Sequence, residues 1–206
     1  YDANEFEEDN KIFNDIKNVD AIGKKFKKID YFNLKKTATN FVPPLGGGES
    51  DILIVDGIPN TDEDRIGKSF VGEKGHLFKK MLNAINLKME DVFIVTGIPW
   101  RPPGNRYPTK SEIEVCIPYV FEIIRFLEPK IILCLGEISA NIVLNIEQSI
   151  LKLRGKWYSI NLNENDSKTS DVLPTLGISY LLNRPDMKRL AWEDMKLLRD
   201  KIKNIK

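Results

Sequence analysis

Histidine is almost missing from this sequence and cysteine is nearly as scarce: one His and two Cys among 206 residues. Two thiols, Cys116 and Cys134, are too few and too isolated for a disulfide framework or a four-thiolate metal site. The lone His76 has no Cys or His beside it and is a poor metal ligand. No metal and no cofactor are therefore expected. A large excess of either sign of charge is also lacking, since the formal net charge is +1. Overall electrostatics then neither require nor exclude a polyanionic partner, and any nucleic-acid surface must be local. No apolar run approaches the roughly 20 residues that span a bilayer. The first residues are acidic (Asp2, Glu5, Glu7, Glu8, Asp9) and lack the basic-then-apolar plan of a signal peptide. A monomer in a reducing cytoplasm, away from membranes, is the expectation. Nucleotide loops are missing too. No Gly-x-Gly-x-x-Gly follows a strand pattern, and in Gly67-Lys68-Ser69 the first glycine of a phosphate loop would be Asp62.

What the chain does contain is an alternation of two apolar patterns. The first forty residues have helical spacing (Phe6, Ile12, Phe13, Ile16, Val19, Ile22, Phe26), which stops at Pro43-Pro44 and Gly46-Gly47-Gly48. Short β-branched runs follow at Asp51–Val55, Asp91–Thr96, Lys130–Leu135 and Val172–Thr175. Amphipathic stretches fall at Lys74–Asn86, Ser111–Leu127, Glu137–Asn145 and Asp186–Lys203. Thr109 with Glu112 has capping-box spacing. Lys156–Asn161 is a candidate edge strand and 163–171 a candidate surface loop. Such alternation predicts an α/β fold: a single three-layer domain with a central, mostly parallel sheet of about four strands flanked by helices. One domain over 1–206 is expected, with N-terminal helices and lead-in to 45 and a core from 46 onward. In these sheets the ligand site forms at the carboxyl ends of the strands. Those ends lead into loops at Asp56, Gly97, Gly136 and Leu176.

The residues in these loops resemble a known family. Val55-Asp56-Gly57-Ile58-Pro59, then Asp62-Glu63-Asp64-Arg65, then Gly67-Lys68-Ser69-Phe70-Val71-Gly72 is similar to the first signature of family-four uracil-DNA glycosylases. Trp100-Arg101-Pro102-Pro103-Gly104-Asn105-Arg106, with Glu112, Cys116 and Pro118-Tyr119 downstream, resembles that family's loop and following helix nearly residue for residue. Pro129 to Ile132, Leu153 to Trp157, and Pro174-Thr175 with Tyr180-Leu181-Leu182 and Trp192-Glu193-Asp194 extend the likeness, which runs from about Lys35 to Met195. The resemblance implies an enzyme that flips a nucleotide from the stack and hydrolyses its glycosidic bond. Such chemistry needs an acidic or water-positioning group at the sugar, a carboxamide for the uracil edge, a donor for charge developing on the base, and an aromatic ring to stack on it.

Against those roles the chain departs from the family. The family's acid is replaced by Gly57, its uracil-reading Asn by Thr96, and its charge-stabilising His by Gly177. Phe70 keeps the base-stacking position, and Pro59 and the two glycines would border the base. Asp56, Glu63 and Thr96 are the remaining catalytic candidates. Asp56 stands one residue before the lost acid and could serve as a shifted general base, or simply as a turn or cap residue. The family commonly carries a [4Fe–4S] cluster on four thiolates. Here only Cys116 persists of that set, and Phe32 and Trp100 are expected to fill the volume. His76 could replace the missing histidine only if its helix points into the pocket. Arg101, Gly104, Arg106, Arg154, Lys188 and Arg189 are the candidate DNA contacts. Three readings stand side by side: a glycosylase-like DNA-binding protein with weak, altered or absent activity, a non-catalytic binding or regulatory module on the same fold, and a divergent nucleoside or base hydrolase using Asp56 or Glu63 with Thr96.

Overall fold

A computed structural model describes residues 13, 17–30, 32–46, 50–162 and 168–204. Phe6, Ile12 and Ile16 of the expected N-terminal pattern, Gly47 and Gly48, and most of the expected 163–171 loop lie outside the described residues.

The strands are β1 (Ile52–Asp56), β2 (Phe93–Thr96), β3 (Ile131–Leu135), β4 (Tyr158–Asn161) and β5 (Thr169–Thr175), joined in the order β2-β1-β3-β5-β4. β1, β2 and β3 are buried along their whole length, which is why they read as continuous apolar runs rather than alternating ones. All pairings are parallel except β4 with β5. The sheet thus has five strands, one more than the four apolar runs, because the candidate edge segment pairs antiparallel at the rim. There its burial alternates, as befits a strand with one wet face. The expected surface loop is shorter than its polarity suggested. Thr169, Ser170 and Asp171 already belong to β5, opposite Asn161, Ile160 and Ser159, because the ladder satisfies their backbone groups whatever their side chains.

The helices are α1 (Val19–Lys27), α2 (Leu34–Thr37), α3 (Thr61–Ile66), α4 (Gly72–Asn83), α5 (Lys110–Leu127), α6 (Glu137–Leu144), α7 (Ile150–Leu153), α8 (Ile178–Asn183) and α9 (Lys188–Lys203). The capping box of α5 forms as spaced, with Thr109 accepting from the Glu112 amide and Glu112 from the Thr109 amide. α1, α5 and α6 cover one face of the sheet, packing on Leu53, Val55, Val95 and Ile132. α4, α8 and α9 cover the other, packing on Ile52, Ile54, Ile94 and Leu133. Layered this way, helices on both faces cover β1, β2 and β3 along their length and leave the loops at the carboxyl ends of the strands to form a site. No helix among the described residues is long and apolar enough to cross a membrane.

Candidate functional site

At the carboxyl end of β1 the chain turns through Gly57, Ile58 and Pro59 into α3. Asn60 caps that helix: its side chain accepts from the Glu63 amide at 2.9 Å, and Glu63 Oε2 accepts from the Asn60 amide at 2.8 Å. The other Glu63 oxygen accepts from the Phe70 amide at 2.6 Å. This bond pins Phe70 in the left-handed region, φ 53°, a conformation that costs a non-glycine residue on the order of 1 kcal/mol or more. Gly75 makes the turn possible, since a Cβ there would lie 1.8 Å from the Phe70 carbonyl oxygen.

One turn into α4, Lys74 points inward beneath these loops, 1% exposed. Its Nζ donates to Asp56 Oδ2 at 2.5 Å and to Glu63 Oε2 at 2.8 Å. Burial works to lower the pKa of this amine, but the carboxylates of Asp56 and Glu63 outweigh it and raise it above the ordinary lysine value. For Asp56, burial is the leading influence and raises its carboxyl against the pull of Lys74. Two carboxylates around one ammonium leave the triad short of one positive charge.

Asp56 and Lys74 border a cleft of about 370 Å³ at the strand ends, together with Gly57, Ile58, Gly136 and Gly177. Gly136 begins α6 with φ 99° and approaches Gly177 closely, drawing the loops after β3 and β5 together. Gly57 and Gly177, expected to share a hollow, do share one.

Other expected members do not line it. Phe70 is buried with its ring stacked on Phe78 at 4.3 Å, and the Lys74 ammonium lies over it, 5.2 Å from the centroid. Thr96, in register with Asp56, is 1% exposed and faces the Ser69 hydroxyl at 3.4 Å. Pro59 is buried in the turn into α3, away from the lining. Glu63 is 1% exposed, and both its oxygens are taken by backbone amides and Lys74, so its role is to hold the loop together. His76 is exposed on α4 and is not among the lining residues, so it does not stand in for a histidine at 177.

Lys74 escaped the sequence reading. Its signal was present, because positions 74, 78 and 82 share a helix face on which Phe78 and Leu82 are fully buried. A lysine in that stripe must carry its counter-charges inside.

Residues 43–196 match the family model described as the uracil DNA glycosylase superfamily. The chain belongs to that superfamily. Among its relatives is the type-4 uracil-DNA glycosylase of Archaeoglobus fulgidus, 32% identical over 88% of this chain and 92% of that protein. The type-4 uracil-DNA glycosylase of Saccharolobus solfataricus is 34% identical over 89% of this chain and 86% of its own length. That of Thermotoga maritima is 30% identical over 90% and 95%.

A [4Fe–4S] cluster of the kind this family commonly holds does not fit the residues present. Cys116 is fully buried, and burial pushes its thiol well above the ordinary range. Around it the rings of Phe26, Phe32, Phe41, Trp100 and Tyr119 interlock: Phe26 stacks on Tyr119 at 4.5 Å, and Phe32 and Phe41 meet Trp100 at 5.2 and 5.0 Å. Apolar packing thus ties α1 and α2 to the start of the Arg101–Arg106 loop, as the residues Phe32 and Trp100 suggested. Among the described residues no group of three or more His, Cys, Asp or Glu could hold a metal.

The candidate DNA contacts divide. Gly104, Lys188 and Arg189 are exposed, and Arg101 is half-buried with Nε on Asn105. Arg106 is exposed but forks onto both Glu112 oxygens, at 2.8 and 2.6 Å, which ties the loop to α5. Arg154 belongs to the interior instead. Its guanidinium donates to both Asp194 oxygens and to the Leu190 carbonyl, and Asp194 also accepts from Thr175, so it fastens α9 to the end of β5.

Proposed function

We propose that this chain is a uracil-DNA glycosylase-like protein of the base-excision repair type, which binds DNA and whose bond-cleaving positions are substituted, leaving uracil release weak, altered or absent. One observation carries the reading: the cleft bordered by Gly57 and Gly177 has no side chain at the places of the family's acid and histidine, and of the two carboxylates that line it Asp56 is bound to Lys74 and Glu137 accepts from the Ile150 amide. Hydrolysis of a glycosidic bond develops positive charge on the sugar and negative charge on the base. Asp56 faces that task already engaged by an ammonium, and no side chain at 177 can donate to the base. Losing one such donor costs on the order of 3 to 4 kcal/mol in the barrier. Arg101, the Gly104 backbone, Lys188 and Arg189 are the groups we assign to phosphate contact.

The test is uracil release from single- and double-stranded DNA beside the Archaeoglobus fulgidus relative, with DNA binding titrated against salt. Slow or undetectable release with salt-sensitive binding is expected. Release at the relative's rate would refute the reading. Restoration is sterically open: a Cβ at Gly57 comes no nearer than 3.4 Å to Ile138, and one at Gly177 no nearer than 3.5 Å to the Leu135 carbonyl. A hydrolase that uses Asp56 or Glu63 with Thr96 would need Thr96 beside a carboxylate at the cleft, and Thr96 does not border it. The non-catalytic module reading is separated by DNA affinity at low salt, which that reading lacks.

A further inference from the structure

Phe70 holds the position at which a flipped base would stack, yet its ring offers no free face. Phe78 is stacked on it at 4.3 Å, and the Lys74 ammonium lies over it, 5.2 Å from the centroid. Stacked aromatic pairs place their centroids roughly 4.5 to 7 Å apart, so the ammonium occupies the shell a base would need. Lys74, not Phe70, borders the cleft. We propose that Lys74 is the resident of the base slot: the chain's own side chain closes the pocket to an extruded pyrimidine and is the specificity-determining residue of the site. The proposal rests on the DNA-binding reading above and deepens it.

The plug is held from both ends. Asp56 and Glu63 grip the ammonium, and the Glu63 side chain is in turn anchored to the Asn60 and Phe70 amides. Swinging Lys74 out would strand two carboxylates side by side with no counter-ion, so the lysine does not yield to a neutral base that brings no charge of its own. It follows that restoring the side chains at 57, 96 and 177 is not enough to rebuild a uracil site while Lys74 stays.

The experiment compares the full chain with the double variant Asp56→Gly, Lys74→Ala, which removes the plug and one of its two counter-ions and leaves Glu63 on the Asn60 and Phe70 amides. Free uracil is the probe, followed by saturation-transfer NMR, with circular dichroism to check folding. Uracil binding is expected to strengthen by at least about tenfold in the variant. Uracil binding of equal strength in the natural chain, or a folded variant that still ignores uracil, overturns the proposal. Should that variant not fold, Lys74→Ser with Asp56→Asn carries the same test. A measurement on the natural chain stands apart from any variant. Bound to DNA with 2-aminopurine at the target position, it is expected to give no rise in fluorescence, and a rise matching that of the Archaeoglobus fulgidus relative overturns the plug. Absence of DNA binding would defeat the DNA reading alone and leave the uracil comparison standing.

Discussion

Replacing Lys74 by Met keeps most of the buried volume and removes the charge, which isolates the electrostatic part of the triad. The side chain is 1% exposed and sits 2.5 Å from Asp56 and 2.8 Å from Glu63. Breaking a buried ion pair from one side costs about 3 to 5 kcal/mol, because the partner is left uncompensated. For a domain of this size 1 kcal/mol moves Tm by about 2 to 4 °C, so a fall of about 6 to 20 °C is expected at pH near 8. The loss should depend on pH with a definite sign. Burial raises the Asp56 carboxyl in the folded chain, and without Lys74 it rises further. A carboxyl whose folded pKa lies above its unfolded value binds more protons when folded. Stability therefore falls as pH climbs from the ordinary aspartate range, about 4, through the raised folded value. Scanning calorimetry should show the gap between Lys74→Met and the natural chain narrowing as pH falls, as Asp56 takes up a proton. Adding Asp56→Asn to Lys74→Met should recover at least about 1 kcal/mol in a double-mutant cycle. A variant melting within about 2 °C of the natural chain, or one whose deficit is flat with pH, would refute the triad as a coupled charge cluster.

Other perturbations follow from single contacts. Gly75→Ala places a Cβ 1.8 Å from the Phe70 carbonyl, so chemical denaturation should show a loss of about 3 kcal/mol, far above the usual effect of that exchange. Asp194→Ala leaves Arg154, 15% exposed, without its carboxylate and should cost about 3 to 5 kcal/mol by the same measurement. Arg154→Ala should lower Tm yet leave the salt dependence of DNA binding unchanged. Arg101→Ala should do the reverse, reducing the slope of log affinity against log salt by about 1 while melting normally. Equal effects of the two arginine variants on the slope would return Arg154 to the DNA face.

Much of the architecture was legible because its signals are local. β-branched runs buried on both faces, a Thr109–Glu112 capping box and glycines at the strand ends are all properties of neighbouring residues. The edge strand and the true start of β5 were blurred for the opposite reason, since polar side chains at Thr169, Ser170 and Asp171 conceal a backbone that only its partner across the ladder specifies. Among the site residues, the pairing of Gly57 with Gly177 was foreseen from motif likeness. The burial of Phe70 and Thr96 was not, because it depends on contacts between separate elements: Phe78 of α4 stacks on Phe70, and Ser69 meets Thr96 from 27 residues away along the chain.

Chain order and side-chain type were sufficient, on their own, for the parallel α/β layering and the location of the cleft, since alternating helical and strand periodicities admit few packings. Which charges meet was settled only in three dimensions. Asp56, Glu63 and Lys74 come from a strand end and two helices, and Arg154 turns inward to Asp194 across 40 residues. Pairing between buried charges is decided by distance in space, to which spacing along the chain is blind.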